Sequence, residues 1–163
     1  MLREDSLKCS FYFHLRKKLS TILKENNLRI YSEYYFFDLK YRADIAIVQI
    51  NPYGEKYYLK DMVADVVAII ELKYIGDGSK TTENWLKKDL TKIKNYIQKG
   101  RHSYQFYFAD IYEVECSTLK WMDKRNSNNW AKGYVTELNA GYKEGKMVFE
   151  INSYNEMNSN FNY

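Results

Sequence analysis

Apolar and polar residues alternate along this chain in two periods, and each change of period marks an element. Over residues 6–25, Leu7, Phe11, Leu15, Leu19 and Ile22 recur at steps of four and three, the spacing that gathers side chains on one helix face. Ser6 is placed to cap this helix and Asn26-Asn27 to end it, while Lys8, Arg16, Lys17 and Lys24 fall on the opposite face. His14 lies beside the apolar stripe, where a lone histidine reads as a packed side chain. An aromatic-rich run over 28–37 predicts a strand, Asp38-Leu39-Lys40 a turn, and 41–50 a second strand closed by Asn51-Pro52-Tyr53-Gly54. Such an order makes a hairpin or meander. The segment 55–65 carries no clear period.

Val66-Val67-Ala68-Ile69-Ile70 is an unbroken, mostly β-branched apolar run, as in a strand buried on both faces, and it ends in charge at Glu71-Leu72-Lys73-Tyr74. After a polar loop over 75–82, Leu86, Leu90, Ile93 and Ile97 predict a helix over 83–99 stopped by Gly100. Its outer faces are basic, with Lys87, Lys88, Lys92, Lys94 and Lys99, and Arg101 and His102 follow; the choice is between a solvated face and a phosphate-contacting one. A fourth strand over 105–114 belongs beside the apolar one, because strand, helix, strand normally makes a right-handed parallel crossover. Residues 116–132 lack a pattern, 134–142 and 147–153 form a hairpin around Lys143-Glu144-Gly145, and the tail 155–163 is expected to fray. The fold class is α/β: a mixed central β-sheet flanked by helices, with a C-terminal hairpin.

Composition narrows this picture only slightly. The 163 residues suit one domain, spanning 1–163, and a single proline with seven glycines leaves no linker. A net charge of +4 permits a polyanionic partner without requiring one. Cys9 and Cys116 are too few for a disulfide framework and lack metal-ligand spacing, which fits a reducing cytoplasm. The first five residues lack the order of a signal peptide, and no apolar run reaches membrane-spanning length, so no membrane association is expected. Seventeen tyrosines accompany abundant Lys, Asn and Ile, so aromatic richness alone does not define a base-stacking surface.

The informative residues are the charges set into apolar runs. Glu71 and Lys73, two apart on a strand, leave its end on one face. Asp44 opens a run otherwise fit for burial, and Glu33 sits within the preceding strand. In a meander the corresponding ends of three successive strands lie side by side, so three acids and a lysine can converge. Clustered carboxylates repel unless a cation sits among them, and a hard divalent ion, Mg²⁺ or Mn²⁺, meets that need. A strand-end salt bridge is the plainer account of Glu71 and Lys73.

Arg42-Ala43-Asp44-Ile45-Ala46-Ile47 and Ile69-Ile70-Glu71-Leu72-Lys73-Tyr74, in the order helix, three strands, helix, strand over about residues 6–114, resemble the motif strands of the PD-(D/E)XK nuclease superfamily, the restriction-endonuclease-like enzymes. Ala43 stands where the motif's proline would precede the acid. The resemblance implies an α-β-β-β-α-β core in which Asp44, Glu71 and the Leu72 carbonyl bind Mg²⁺ or Mn²⁺. It also implies that Lys73 places or activates the attacking water, and that Glu33 is the additional upstream acid. Asp89, Lys92 and Tyr96, near one side of the second helix, would border the site, with Lys87, Lys88, Lys92 and Arg101 contacting nucleic acid. The implied function is hydrolysis of phosphodiesters, of DNA rather than RNA, by a metal-bound water, in endonuclease or exonuclease mode, with a homodimer left open. Two alternatives belong to other classes: a catalytically inactive nuclease-fold module binding nucleic acid or protein, and an interaction protein presenting C-terminal Tyr and Trp.

Overall fold

A computed structural model describes residues 4–53, 58–76, 80–99, 104–115, 119, 122 and 130–154. The fold is mixed α/β, with a multi-stranded sheet flanked by helices. Contacts cluster into two compact units, Leu2–Ile70 and Glu71–Tyr163, and the boundary falls inside one strand.

In the N-terminal unit, α1 (Glu4–Lys18) and α2 (Ser20–Glu25) precede β1 (Leu28–Phe36) and β2 (Tyr41–Ile50); a short 3₁₀ turn, Leu59–Met62, leads into β3 (Val63–Ile75). The order is β1-β2-β3 and both ladders are antiparallel, the meander expected from the turn residues. Every strand begins or ends within a few residues of its hydrophobic pattern, but the first helix differs from expectation. It opens at Leu19 (φ −94°, ψ 8°), although the bonds Leu19 N to Leu15 O and Leu23 N to Leu19 O, both 2.8 Å, carry helical pairing through. The opening turns Ile22 off the apolar stripe, and it is 51 % exposed. The expected burial of β3 on both faces also needs correction. Val67 is 38 % exposed, and the unbroken burial runs from Ala68 to Leu72, one step towards the charged end. Register shifts between Ile47 and Val48 and between Gln49 and Ile50 mark irregularities where β3 begins.

In the C-terminal unit the order is β3-β4-β5-β6, with α3 (Lys80–Gln98) followed by β4 (Gln105–Glu115), β5 (Val135–Lys143) and β6 (Lys146–Ser153). The stripe Leu86, Leu90, Ile93 and Ile97 is buried as its spacing requires, and Tyr96 joins it, stacked on Phe106 at 5.9 Å. Strands β4 and β5 are parallel, and β5 and β6 form the expected antiparallel hairpin. Its two-residue turn, Glu144-Gly145, has positive φ at both positions (53° and 70°), the geometry that matches strand twist. On β6, Met147, Phe149 and Ile151 alternate outward and are 44 %, 76 % and 60 % exposed. Cys9 is an exposed free thiol; Cys116, Gly100, the tail 155–163 and most of 116–132 lie outside the described residues. Among the described residues no helix is long and apolar enough to cross a membrane.

Gly141 is where β5 is most tightly enclosed: a Cβ there would lie 2.7 Å from Leu119 Cδ2 and 2.9 Å from Tyr112 Cβ. We expect Gly141→Ala to lower the unfolding free energy by about 1–3 kcal/mol, the cost of overpacking. Urea titration followed by tryptophan fluorescence checks this; an unchanged midpoint would mean that the neighbours yield freely.

Candidate functional site

The predicted acids fall in both units, and each set is answered by a lysine. In the N-terminal unit Glu33 and Asp44 stand opposite each other in the β1-β2 register, between the pairs Ser32 to Ile45 and Tyr34 to Ala43. Opposed residues of an antiparallel pair share a face, so the two carboxylates would repel if left alone. Lys8 of α1 answers both: its ammonium lies 2.8 Å from Asp44 Oδ1 and pairs with Glu33 Oε1. Burial pulls the Lys8 pKa down, but the hydrogen bonds and charges of Asp44 and Glu33 outweigh it and hold the ammonium above the usual lysine range. Arg42 lies 3.7 Å from Glu33 at the exposed side. Glu33 also has a left-handed backbone (φ 53°), an uncommon conformation for a residue with a Cβ. Sequence pattern places Lys8 on a polar helix face; that it sits between two acids became visible only with the helix packed.

In the C-terminal unit the charged end of β3 meets α3. Glu71 is 1 % exposed and Lys73 is half-buried. Two apart on the strand, they face residues three apart on the helix: Lys92 Nζ lies 2.6 Å from Glu71 Oε2, and Lys73 Nζ lies 3.2 Å from Asp89 Oδ2. Spacing of two on a strand and three on a helix are both same-face spacings, and this match brings the four charges together. Leu72 between them is fully buried, so its side chain serves the core.

Beneath them lies a polar layer that the sequence reading did not single out. Asp110 of β4 is 0 % exposed and stands in register with Asn139 of β5, which is 2 % exposed. Among the described residues, neither Asp110 oxygen nor either Asn139 side-chain polar atom has a hydrogen-bond partner. Glu137, two residues from Asn139 on the same face, is fully buried and accepts a 3.0 Å bond from the Met122 amide, with the Tyr154 hydroxyl 3.2 Å away. Burial pushes the Asp110 carboxyl well above the usual aspartate range; Glu137 and then Asp89 push it further, and Lys73 opposes them. The signal was present in the sequence: Asp110 closes the apolar run Phe106-Tyr107-Phe108-Ala109, the same anomaly that marks Asp44.

Of the residues expected to contact nucleic acid, Lys87 and Lys88 are exposed, Lys92 directs its ammonium to Glu71, and Arg101 lies outside the described residues. Tyr96, expected to border the site, is fully buried. His14 is exposed and meets Phe13 edge-on at 5.5 Å. Among the described residues no three His, Cys, Asp or Glu side chains are grouped to hold a metal ion. Carboxylate oxygens of the kind a hard cation takes are present, each within reach of an ammonium group of the chain. Comparison with known protein families, curated proteins and solved structures finds no match to this chain.

The Glu71 to Lys92 pair should behave as a buried ion pair. Lys92→Met is expected to cost about 3 kcal/mol by stranding Glu71, and Glu71→Gln in the same chain to recover most of that loss, as read from denaturant midpoints. Asp110 acts in the opposite sense. Its folded pKa is raised, so as pH climbs past the ordinary aspartate value, near 4, the unfolded chain ionises first and stability falls until the folded carboxyl also titrates. The melting temperature of Asp110→Asn minus that of the wild type should therefore increase from about pH 4 to about pH 8; a pH-independent difference would mean that the folded carboxyl is not held neutral.

Proposed function

We propose that this protein is a divalent-metal-dependent nuclease acting on the phosphodiester backbone, DNA rather than RNA, in the manner that its resemblance to the PD-(D/E)XK superfamily implies. The observation that carries the reading is the Glu71-Leu72-Lys73 end of β3: a carboxylate with 1 % exposure and a lysine on the same face, at the end of a core strand. The element order around it, strand, helix, strand, also agrees with that resemblance. On this reading Glu71 and the Leu72 carbonyl hold Mg²⁺ or Mn²⁺, and Asp44 is the other acid the resemblance assigns to the ion. When bound, the ion supplies a polarised phosphoryl oxygen and water of lowered pKa. Lys73 steadies negative charge building on the phosphate and orients the attacking water, with Asp89 fixing its ammonium. Lys92 neutralises Glu71 when no metal does, and Lys8 does the same for Glu33 and Asp44.

That neutralisation also favours a second reading. A chain that balances each of these acids with its own lysine is suited to bind nucleic acid without cutting it. Incubating the protein with single- and double-stranded DNA and RNA, in Mn²⁺, Mg²⁺ or EDTA, separates the two. The nuclease reading expects divalent-dependent cleavage that falls at least about 100-fold in each of Asp44→Asn, Glu71→Gln and Lys73→Met with the fold retained. Full activity in all three variants overturns the residue assignment, and binding without cleavage by the wild type selects the second reading.

A further inference from the structure

A groove of about 850 Å³ runs along α1, α2 and the start of β1 in the N-terminal unit. Arg16, Lys24 and Arg29 line it, and among the described residues no acid does. All three cations are exposed, and among the described residues none of them pairs with a carboxylate. Like charges gathered in a concavity without a counter-charge concentrate a positive potential there, which draws in an anion. Two of the three are also held in place by neutral partners. The Arg16 guanidinium lies 5.9 Å over the ring of Tyr12 and donates to its hydroxyl at 3.4 Å, while Arg29 donates to the Leu28 carbonyl at 2.9 Å. A guanidinium has five donors, so each keeps several for a ligand. Tyr12 and Tyr31 contribute half-buried rings to the same wall.

We propose that this groove binds a single-stranded nucleic acid, with backbone phosphates on Arg16, Lys24 and Arg29 and bases against Tyr12 and Tyr31. The volume is near the upper end for a small-molecule pocket, more than a lone phosphate occupies. Cations beside aromatic rings in a groove are the pattern by which single strands are held without sequence preference, because every base has a face to stack. A phospholipid surface would need these cations on a convex or flat face, whereas they line a concavity. The acids of the nuclease reading do not line the groove, so the inference does not rest on that reading.

The test is fluorescence anisotropy of labelled dodecathymidylate with the full chain in EDTA, across a salt series. We expect saturable binding whose log K falls against log salt with a slope near −2, from three phosphate contacts. Arg16→Gln/Lys24→Gln/Arg29→Gln should weaken it at least about tenfold and flatten that slope. Tyr31→Ala should weaken it about fivefold and keep the slope. The charge-matched variant Lys132→Gln/Lys143→Gln/Lys146→Gln should bind as the wild type does, and melting curves confirm that each variant folds. Binding is read in EDTA and cleavage in Mn²⁺, so loss of binding at the groove and loss of cleavage at Glu71 are separate outcomes. The proposal is overturned if the groove variant keeps wild-type affinity and slope, or if the wild type binds no oligonucleotide. Thymidine monophosphate binding as tightly as the dodecamer, or phosphatidylserine vesicles outcompeting it, would overturn it as well.

Discussion

A carboxylate stripped of water is stable only beside a positive charge, as the neutral acid, or with hydrogen-bond donors in water's place, and this constraint organises the interior of the C-terminal unit. Glu71 takes the first course, with Lys92 of α3 against it. Asp110 takes the second, pushed towards its neutral form by burial and by Glu137. Both solutions draw on the docking of α3, because Lys92, which answers Glu71, and Asp89, which adds to the effect of burial and Glu137 on Asp110, come from that helix. The apolar stripe from Leu86 to Ile97 supplies the attachment, and each such side chain fully buried is worth roughly 1.5–3 kcal/mol. Packing thus fixes the helix, and the helix brings Lys92 to Glu71 and adds Asp89 to the charges around Asp110.

The N-terminal unit meets the same constraint with one residue. Lys8 is shared by two acids on neighbouring strands, which ties α1 to the β1-β2 ladder through a charge as well as through apolar contact. In both units the lysine is close enough to act as the counter-ion. On the nuclease reading proposed above, a metal ion would have to take the place of these ammonium groups at the same carboxylates.

Much of this was legible from pattern alone. The two antiparallel ladders followed from turn residues at 38–40 and 51–54, α3 from its stripe, and the C-terminal hairpin from Glu144-Gly145. Charges interrupting apolar runs drew attention to Asp44 and Glu71. What sequence could not supply was the partner of each charge. Lys8 and Lys92 look like ordinary members of solvated helix faces, because helical periodicity assigns a face but not the neighbour it meets. The parallel pairing of β4 with β5 was equally hidden, since its connection crosses a stretch without period. The opening of the first helix at Leu19 was invisible because the apolar spacing continues unbroken through it.

The backbone of Glu33 has a consequence for how this chain tolerates change. A left-handed conformation costs an L-residue about 1–2 kcal/mol and costs glycine nothing. Random drift therefore has an easy exit at this position, one that relaxes the main chain and leaves Lys8 with a single acid. In any relative of this chain, an acid retained there against that slope marks a position kept for its charge, whereas glycine marks one kept for its shape.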